Sequence, residues 1–250
     1  EYVAPIINNY WIQTTEYTSS SASRLNTANK NFIWYVENTN DSQHSSTVKI
    51  TQYNQDGTVI WQKLLTDAKN LLISSIVCDS NNNLYIAGMV GYDSISLTVQ
   101  YGYLAKINTS GSILWERIVN KAATSNTEGQ FIQNINTIAI DSNKNIYASL
   151  QYNGDITLIK YNTNGSVIWN TDITDPNLNS YGQYNQLVCY SLAVDSTNSC
   201  YIVGKWSDLH TINLTYILKI DLSGTIEWQK TTPNFNSTTP STCLLYTSPS

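Results

Sequence analysis

A ten-residue phrase stated three times limits what this chain can fold into: KINTSGSILW (Lys106 to Trp115), KYNTNGSVIW (Lys160 to Trp169) and KIDLSGTIEW (Lys219 to Trp228). A weaker copy, QYNQDGTVIW, runs from Gln52 to Trp61. Each copy reads as two short strands around a tight turn. Its glycine (Gly57, Gly111, Gly165 or Gly224) supplies the positive φ that a three- or four-residue hairpin with a bulge demands. Trp61, Trp115, Trp169 or Trp228 follows four residues after that glycine, in the second strand. Alternation puts Ile113 with Trp115, Val167 with Trp169 and Ile226 with Trp228 on one face. Ile60, Leu114 and Ile168 make the other face apolar too, so the strand is expected to pack on both sides, Glu227 being the exception.

The four tryptophans are separated by 54, 54 and 59 residues. Such a period in a β-rich chain means a propeller or a similar array. Upstream of three hairpins lies a second block: IVCDSNNNLYIAG (Ile76 to Gly88), IAIDSNKNIYASL (Ile138 to Leu150) and LAVDSTNSCYIVG (Leu192 to Gly204). Repeat one carries a degraded form, LNTANKNFIWYV, from Leu25 to Val36. In this block an apolar strand meets Asp79, Asp141 or Asp195, a polar turn follows, and another strand begins. Each repeat therefore has four strands, A to D. In repeat two they fall roughly at Ser74 to Asp79, Asn83 to Val90, Tyr103 to Asn108 and Ser112 to Val119. Four antiparallel strands compose one propeller blade, and blades complete their core by stacking on neighbours.

The expected fold is all-β: a β-propeller of about four four-stranded antiparallel blades over residues 1–231, with repeats near 15–65, 72–119, 135–173 and 187–231. A separate outer strand is expected at 9–14, where Tyr10-Trp11-Ile12-Gln13 imitates the tryptophan-centred strand of each repeat. Nothing before it could supply strands A to C of its own blade, and repeat four already has its outer strand, so an incomplete ring is expected. Residues 232–242 are rich in Ser, Thr and Pro and read as a linker or the start of another blade. The last eight residues, 243–250 (Cys243 to Ser250), resemble the translation of a transposase-type sequencing adaptor and are set aside from the fold. The natural chain is then expected to continue differently beyond Thr242.

Together the two blocks resemble the seven-bladed-propeller (SBBP) repeat family. Its pattern is Asp, a small polar turn, Asn-x-Tyr-Val-x-Gly, then Lys-x-Asp-x-x-Gly-x-x-x-Trp. Repeat two supplies Asp79, Asn83, Tyr85, Gly88, Lys106, Asn108, Gly111 and Trp115. Repeat three supplies Asp141, Asn145, Tyr147, Lys160, Asn162, Gly165 and Trp169. Repeat four supplies Asp195, Tyr201, Gly204, Lys219, Asp221, Gly224 and Trp228. The resemblance spans about residues 25 to 231 and implies the propeller fold. That family is defined by its repeat and not by one activity, so it implies no catalytic residue.

Charge narrows the partners. With 250 residues, a formal net charge of −5 and a pI near 4.9, the chain is poorly suited to nucleic acid or to an anionic membrane. No apolar run approaches the length of a membrane span. The chain begins at Glu1 with no visible signal peptide, as a mature form or a fragment would. With Cys243 set aside, Cys78, Cys189 and Cys200 have neither zinc-site nor disulfide spacing and read as buried free thiols, with Cys200 opposite Asp195 across a turn.

Each candidate site has a structural reading beside the functional one. Asp79-x-Asn81-x-Asn83 and Asp141-x-Asn143-x-Asn145 imitate the start of a calcium loop but lack its Gly and Glu, so turn chemistry without metal is expected. The repeated tryptophans, with Tyr85, Tyr147 and Tyr201, are expected to pack between blades. Lys106, Lys160 and Lys219 are placed along the blade edge, and Trp206, outside the repeat pattern, should matter less to stability. His44 and His210 fall in loops. Asp208 with His210 is the one local acid–His pair and is not taken as catalytic. Asn-x-Ser/Thr sequons start at Asn40, Asn108, Asn164, Asn213 and Asn236; those at Asn108 and Asn164 should be exposed in turns.

No catalytic, cofactor or metal set is assigned. The long D–A and B–C connections should gather on one face, the usual place for a ligand. The expected function is a non-enzymatic scaffold, extracellular or at a surface, binding an unknown protein or glycan. Two alternatives remain. One is a fragment of a propeller enzyme, hydrolase or quinoprotein-like, because the Gly-x-x-x-Trp ending also resembles the tryptophan-docking repeat of quinoprotein dehydrogenases. That repeat has an acid four residues before the glycine, where this chain has Tyr53, Ile107, Tyr161 and Ile220. The other is a lectin propeller, which would want loop aromatics in register; none are found.

Overall fold

A computed structural model describes residues 23–28, 32–40, 46–65, 71–91, 99–120, 131–152, 154–173, 186–207 and 213–233. Runs of β-branched and aromatic residues punctuated by Asn, Asp, Ser and Gly become sixteen strands among the described residues. Blade 1 is β1 (Ser23–Ala28), β2 (Phe32–Asn40), β3 (Ser46–Asn54) and β4 (Val59–Leu65). Blade 2 is β5 (Leu71–Cys78), β6 (Leu84–Gly91), β7 (Val99–Ile107) and β8 (Ile113–Val119). Blade 3 is β9 (Phe131–Ile140), β10 (Ile146–Tyr152), β11 (Asp155–Tyr161) and β12 (Val167–Ile173). Blade 4 is β13 (Gln186–Val194), β14 (Cys200–Ser207), β15 (Asn213–Ile220) and β16 (Ile226–Pro233).

Within each blade the strands pair antiparallel in chain order, A to D. The same order holds in blades 3 and 4. Blades 2 and 3 are also stitched by a short parallel pairing, Val99 with Phe131 and Gln100 with Ile132, which joins them into one eight-stranded sheet. The A strands of successive blades lie against one another, so they form the inner side of a propeller-like arrangement.

The core sits between blades. Trp34, Val48 and Ile50 of blade 1 pack with Leu71, Ile73 and Leu84 of blade 2. Tyr85 and Leu104 of blade 2 pack with Ile138, Ile146 and Leu150 of blade 3. Tyr147, Ile156 and Leu158 of blade 3 pack with Leu192, Cys200 and Trp206 of blade 4. Strands B and C are covered on both faces, which is why Ile146 to Leu150 and Ile156 to Tyr161 are buried at consecutive positions. Stacking, not the single sheet, supplies the apolar burial of roughly 25 cal/mol per Å² that holds the fold.

The outer strand departs from the sequence expectation. Ile60 is 40% exposed, Leu114 52% and Ile168 49%, so strand D is covered on one face only. The alternation also fails, because Ile113 and Val167 are exposed while their tryptophans are half-buried. A β-bulge explains both. Lys106 faces Trp115 but the next residue, Ile107, faces Ile113, leaving Leu114 as the extra residue. The same shift leaves Ile60, Ile168 and Glu227 unpaired in the other blades. Glu227 is therefore at home there: its carboxylate lies 2.8 Å from the Lys219 ammonium at the solvent edge.

Strand bounds differ too. In repeat two, strands A and C begin at Leu71 and Val99, ahead of the expected Ser74 and Tyr103. Strand β16 continues to Pro233, past the expected end at residue 231. Proline suits an outermost strand, where no ladder donor is needed. The strand expected at 9–14, with Trp11, lies outside the described residues, as do residues 234–250.

Candidate functional site

Three side chains line up across strands B, C and D at the turn end of each blade. The registers give Tyr85–Lys106–Trp115 in blade 2 and Tyr147–Lys160–Trp169 in blade 3. Blade 4 gives Tyr201–Lys219–Trp228, and blade 1 gives Trp34–Gln52–Trp61. The rings meet edge to face, with centroids 6.0 Å apart for Tyr85 and Trp115 and 5.8 Å for Tyr147 and Trp169. The Lys160 ammonium sits 4.6 Å from the Tyr147 centroid and 5.9 Å from that of Trp169.

The A–B turn aspartate completes each set in blades 2 and 3. Asp141 Oδ1 accepts from the backbone N–H of Asn143 (2.9 Å) and Asn145 (2.8 Å). Its Oδ2 accepts from Asn145 Nδ2 at 2.9 Å and lies 3.5 Å from Lys160 Nζ. Asp79 does the same with Asn81, Asn83 and, at 3.7 Å, Lys106. These lysines therefore do not lie along the blade edge, as their repetition suggests: Lys160 is 2% exposed and Lys106 9%. A buried ammonium is tolerable only with a carboxylate in reach. Blade 1 shows the converse, since Ala28 stands at the aspartate position and Gln52 at the lysine position. The two charges are absent together, and Gln52 Nε2 and Trp34 Nε1 are buried without a hydrogen-bond partner among the described residues.

In blade 4 the set opens. Asp195 accepts from Thr197 N, Ser199 N and the Tyr201 hydroxyl (3.0 Å), while Lys219 turns to Glu227.

A second repeated geometry joins each blade to the next. Trp61 Nε1 donates to the Thr109 carbonyl at 2.8 Å, Trp115 to Thr163 at 3.0 Å, and Trp169 to Leu222 at 3.0 Å. Each acceptor lies two residues before the glycine of the next blade's C–D turn. The indole covers that glycine so closely that an added Cβ on Gly165 would stand 2.9 Å from the Trp115 ring, and one on Gly224 2.8 Å from Trp169. The residue two after each tryptophan then donates to the glycine carbonyl: Lys63 to Gly111 at 2.9 Å, Arg117 to Gly165 at 2.8 Å, and Thr171 to Gly224. The tryptophans thus bridge blades, their ring faces against turn backbone.

The other residues singled out from the sequence fall in several places. Cys189 and Cys200 are buried and Cys78 half-buried, all free; Cys200 faces Val194, one residue from the expected Asp195, and Cys189 faces Gly204. Burial pushes the Cys189 thiol up to about 12, offset in part by hydrogen bonds with Ser149 and Ser191. Burial, then the adjacent Asp141 charge, pushes the Tyr147 hydroxyl up from its usual range, so it stays a donor. Trp206, expected to matter less to stability because it stands outside the repeat pattern, is 5% exposed and belongs to the core between blades 3 and 4. Strand period carries the signal: Cys200, Ile202 and Trp206 share one buried face of β14. Asn164 is exposed and Asn108 half-buried in the C–D turns. His44, Asp208 and His210 lie outside the described residues, as does most of the D–A and B–C loop sequence. Among the described residues no group of three or more His, Cys, Asp or Glu is placed to hold a metal, and no helix is long and apolar enough to cross a membrane.

No protein-family model matches the chain, and no curated protein does. Solved structures give distant likenesses. A crystal structure of the eukaryotic initiation factor aligns at TM-score 0.40 with 11% identity, over 84% of this chain and 54% of that one. A mannose phosphorylase from Leishmania mexicana, in complex with phosphate ion, aligns at TM-score 0.36 with 10% identity, over 80% of this chain and 63% of that one. The chain thus spans between half and two-thirds of the length of those structures, and at these scores neither bears on function.

Proposed function

We propose that the chain is part of a non-enzymatic propeller scaffold of the SBBP type, extracellular or at a surface, that binds protein or glycan without a cofactor. One observation carries the reading: the two ends of the blades are treated differently. The A–B and C–D turns form one end and keep the same length and hydrogen bonds where they are described, as in Asp79 N to Asn83 O, Asp141 N to Asn145 O and Asp195 N to Ser199 O. Connections at the other end vary widely: 41–45, 92–98, 153–154 and 208–212 between B and C, and 66–70, 120–130 and 174–185 between D and A. A constant end beside a variable one is how a scaffold carries specificity. The parent ring is proposed to have more than four blades.

The test is a glycan array and a crosslinking pull-down with the full chain. A variant with residues 121–130 and 174–185 replaced by Gly-Ser linkers should lose the ligand and keep its melting temperature. A ligand retained by that variant would refute the loop-face reading. The indole junctions also favour a second reading, the quinoprotein-like one. The position that should hold an acid is Tyr53, Ile107, Tyr161 or Ile220, all buried. Quinone binding in a reconstitution assay would revive it.

A further inference from the structure

Gly57 occupies the same turn position as the three glycines that carry an indole, and it lies at φ 84°. Left-handed backbone alone does not select glycine in this chain, because the matching positions of the A–B turns are Asn82, Lys144 and Asn198, at φ 63°, 65° and 62°. Glycine stands where a ring must come within contact of the turn. Among the described residues no indole is placed on Gly57. We propose that blade 1 presents a socket for an indole, formed by Gly57 and the Gln55 carbonyl, and that its occupant is Trp11 of the same chain.

The match is residue by residue. At each known junction a tryptophan covers the glycine and donates to the carbonyl two residues before it. The residue two after that tryptophan donates to the glycine carbonyl. Trp11 has Gln13 two residues later, a side-chain amide donor suited to the Gly57 carbonyl. Trp11 stands 46 residues before Gly57, against 50, 50 and 55 at the three junctions. Trp228, 37% exposed and followed by Lys230, carries the same pattern and makes a second copy the competing occupant. A site in the same chain has the higher effective concentration. The socket rests on the junction geometry and stands apart from the scaffold reading.

The experiment uses the full chain and its melting temperature. Gly57→Asn should lower it by a shift close to that of Gly165→Asn, and the penalty should vanish in a Trp11→Ala background. An equal penalty in both backgrounds, or none in either, overturns the proposal. So does a penalty removed by Trp228→Ala together with a doubled mass in sedimentation, which would assign the socket to a second copy. Should Trp11→Ala fail to fold, hydrogen exchange of the indole N–H in the unmodified chain decides. Protection of Trp11 comparable to that of Trp61 supports the socket, and exchange at the free rate overturns it.

Discussion

The two turns at the constant end of blade 3 share one hydrogen-bond skeleton. In the A–B turn, Asp141 N donates to Asn145 O and Lys144 N to Asp141 O; in the C–D turn, Asn162 N donates to Ser166 O and Gly165 N to Asn162 O. Both place their fourth residue in the left-handed region, Lys144 at φ 65° and Gly165 at φ 75°. Yet one is a lysine and the other a glycine. A left-handed non-glycine residue costs on the order of 1–2 kcal/mol, which a well-bonded turn can absorb. A Cβ pressed into an indole of the next blade is another matter. The C–D glycines thus answer to the neighbouring blade, and the A–B aspartates to their own.

Asp141→Ala should strain that division most. It removes the turn acceptor and strands Lys160, so it should cost about 5 kcal/mol, the upper end for breaking a buried pair, read from urea unfolding. Adding Lys160→Gln recreates the pairing of Ala28 with Gln52 in blade 1 and should recover most of the loss. A double variant no more stable than the single one would refute the charge argument.

Next comes Trp115→Ala. Its ring is half-buried, so about 3 kcal/mol is expected, the lower end for a large aromatic. The loss should fall on the junction between blades 2 and 3, seen as faster amide exchange in the Thr163 to Gly165 turn. Unchanged exchange there would mean that the indole does not hold the turn.

Acid should act through three of the turn aspartates, Asp56, Asp195 and Asp221. Ser223 and the Thr225 and Gly224 backbone hold the Asp221 carboxyl below its usual range, and Thr58 does the same for Asp56. Burial raises Asp195, but hydrogen bonds from Thr197, Ser199 and Tyr201 outweigh it and leave it lowered. A lowered folded pKa gives stability that is present above the ordinary value of 3.8 and lost as pH falls through the folded value. Asp221→Asn keeps the acceptor, as Asn108 and Asn162 do naturally, and should flatten the acid decline below that pH. An identical acid profile would contradict the assignment.

The smallest effect expected is Lys144→Gly. Relief of the left-handed strain is offset by greater freedom of the unfolded chain, so stability should stay within about 0.5 kcal/mol in urea unfolding.

Much of this fold is legible in the residues. The Gly-to-Trp phrase and the Asp-led block place the hairpins, because turn chemistry and strand pairing are local. The bulge at Leu114 is not, since a period of two carries no sign of where an extra residue enters. The burial of Lys160 is hidden for a different reason: lysine alone signals surface, and only its joint absence with the aspartate in repeat one betrays the pair. Trp206 stands outside the repeat and shows its burial only through the face it shares with Cys200 and Ile202. The partner of each indole lies about 50 residues away, in the next blade.

A double-mutant cycle on one junction decides whether the C–D glycine answers to its neighbour or to its own turn. Gly165→Asn keeps a residue that accepts left-handed φ, as Asn82 and Asn198 show. It should nonetheless cost about 2–3 kcal/mol, the upper part of the range for overpacking a filled contact. In a Trp115→Ala background the same change should cost less than about 0.5 kcal/mol, the indole being gone. An equal cost in both backgrounds would show that the glycine serves the turn alone.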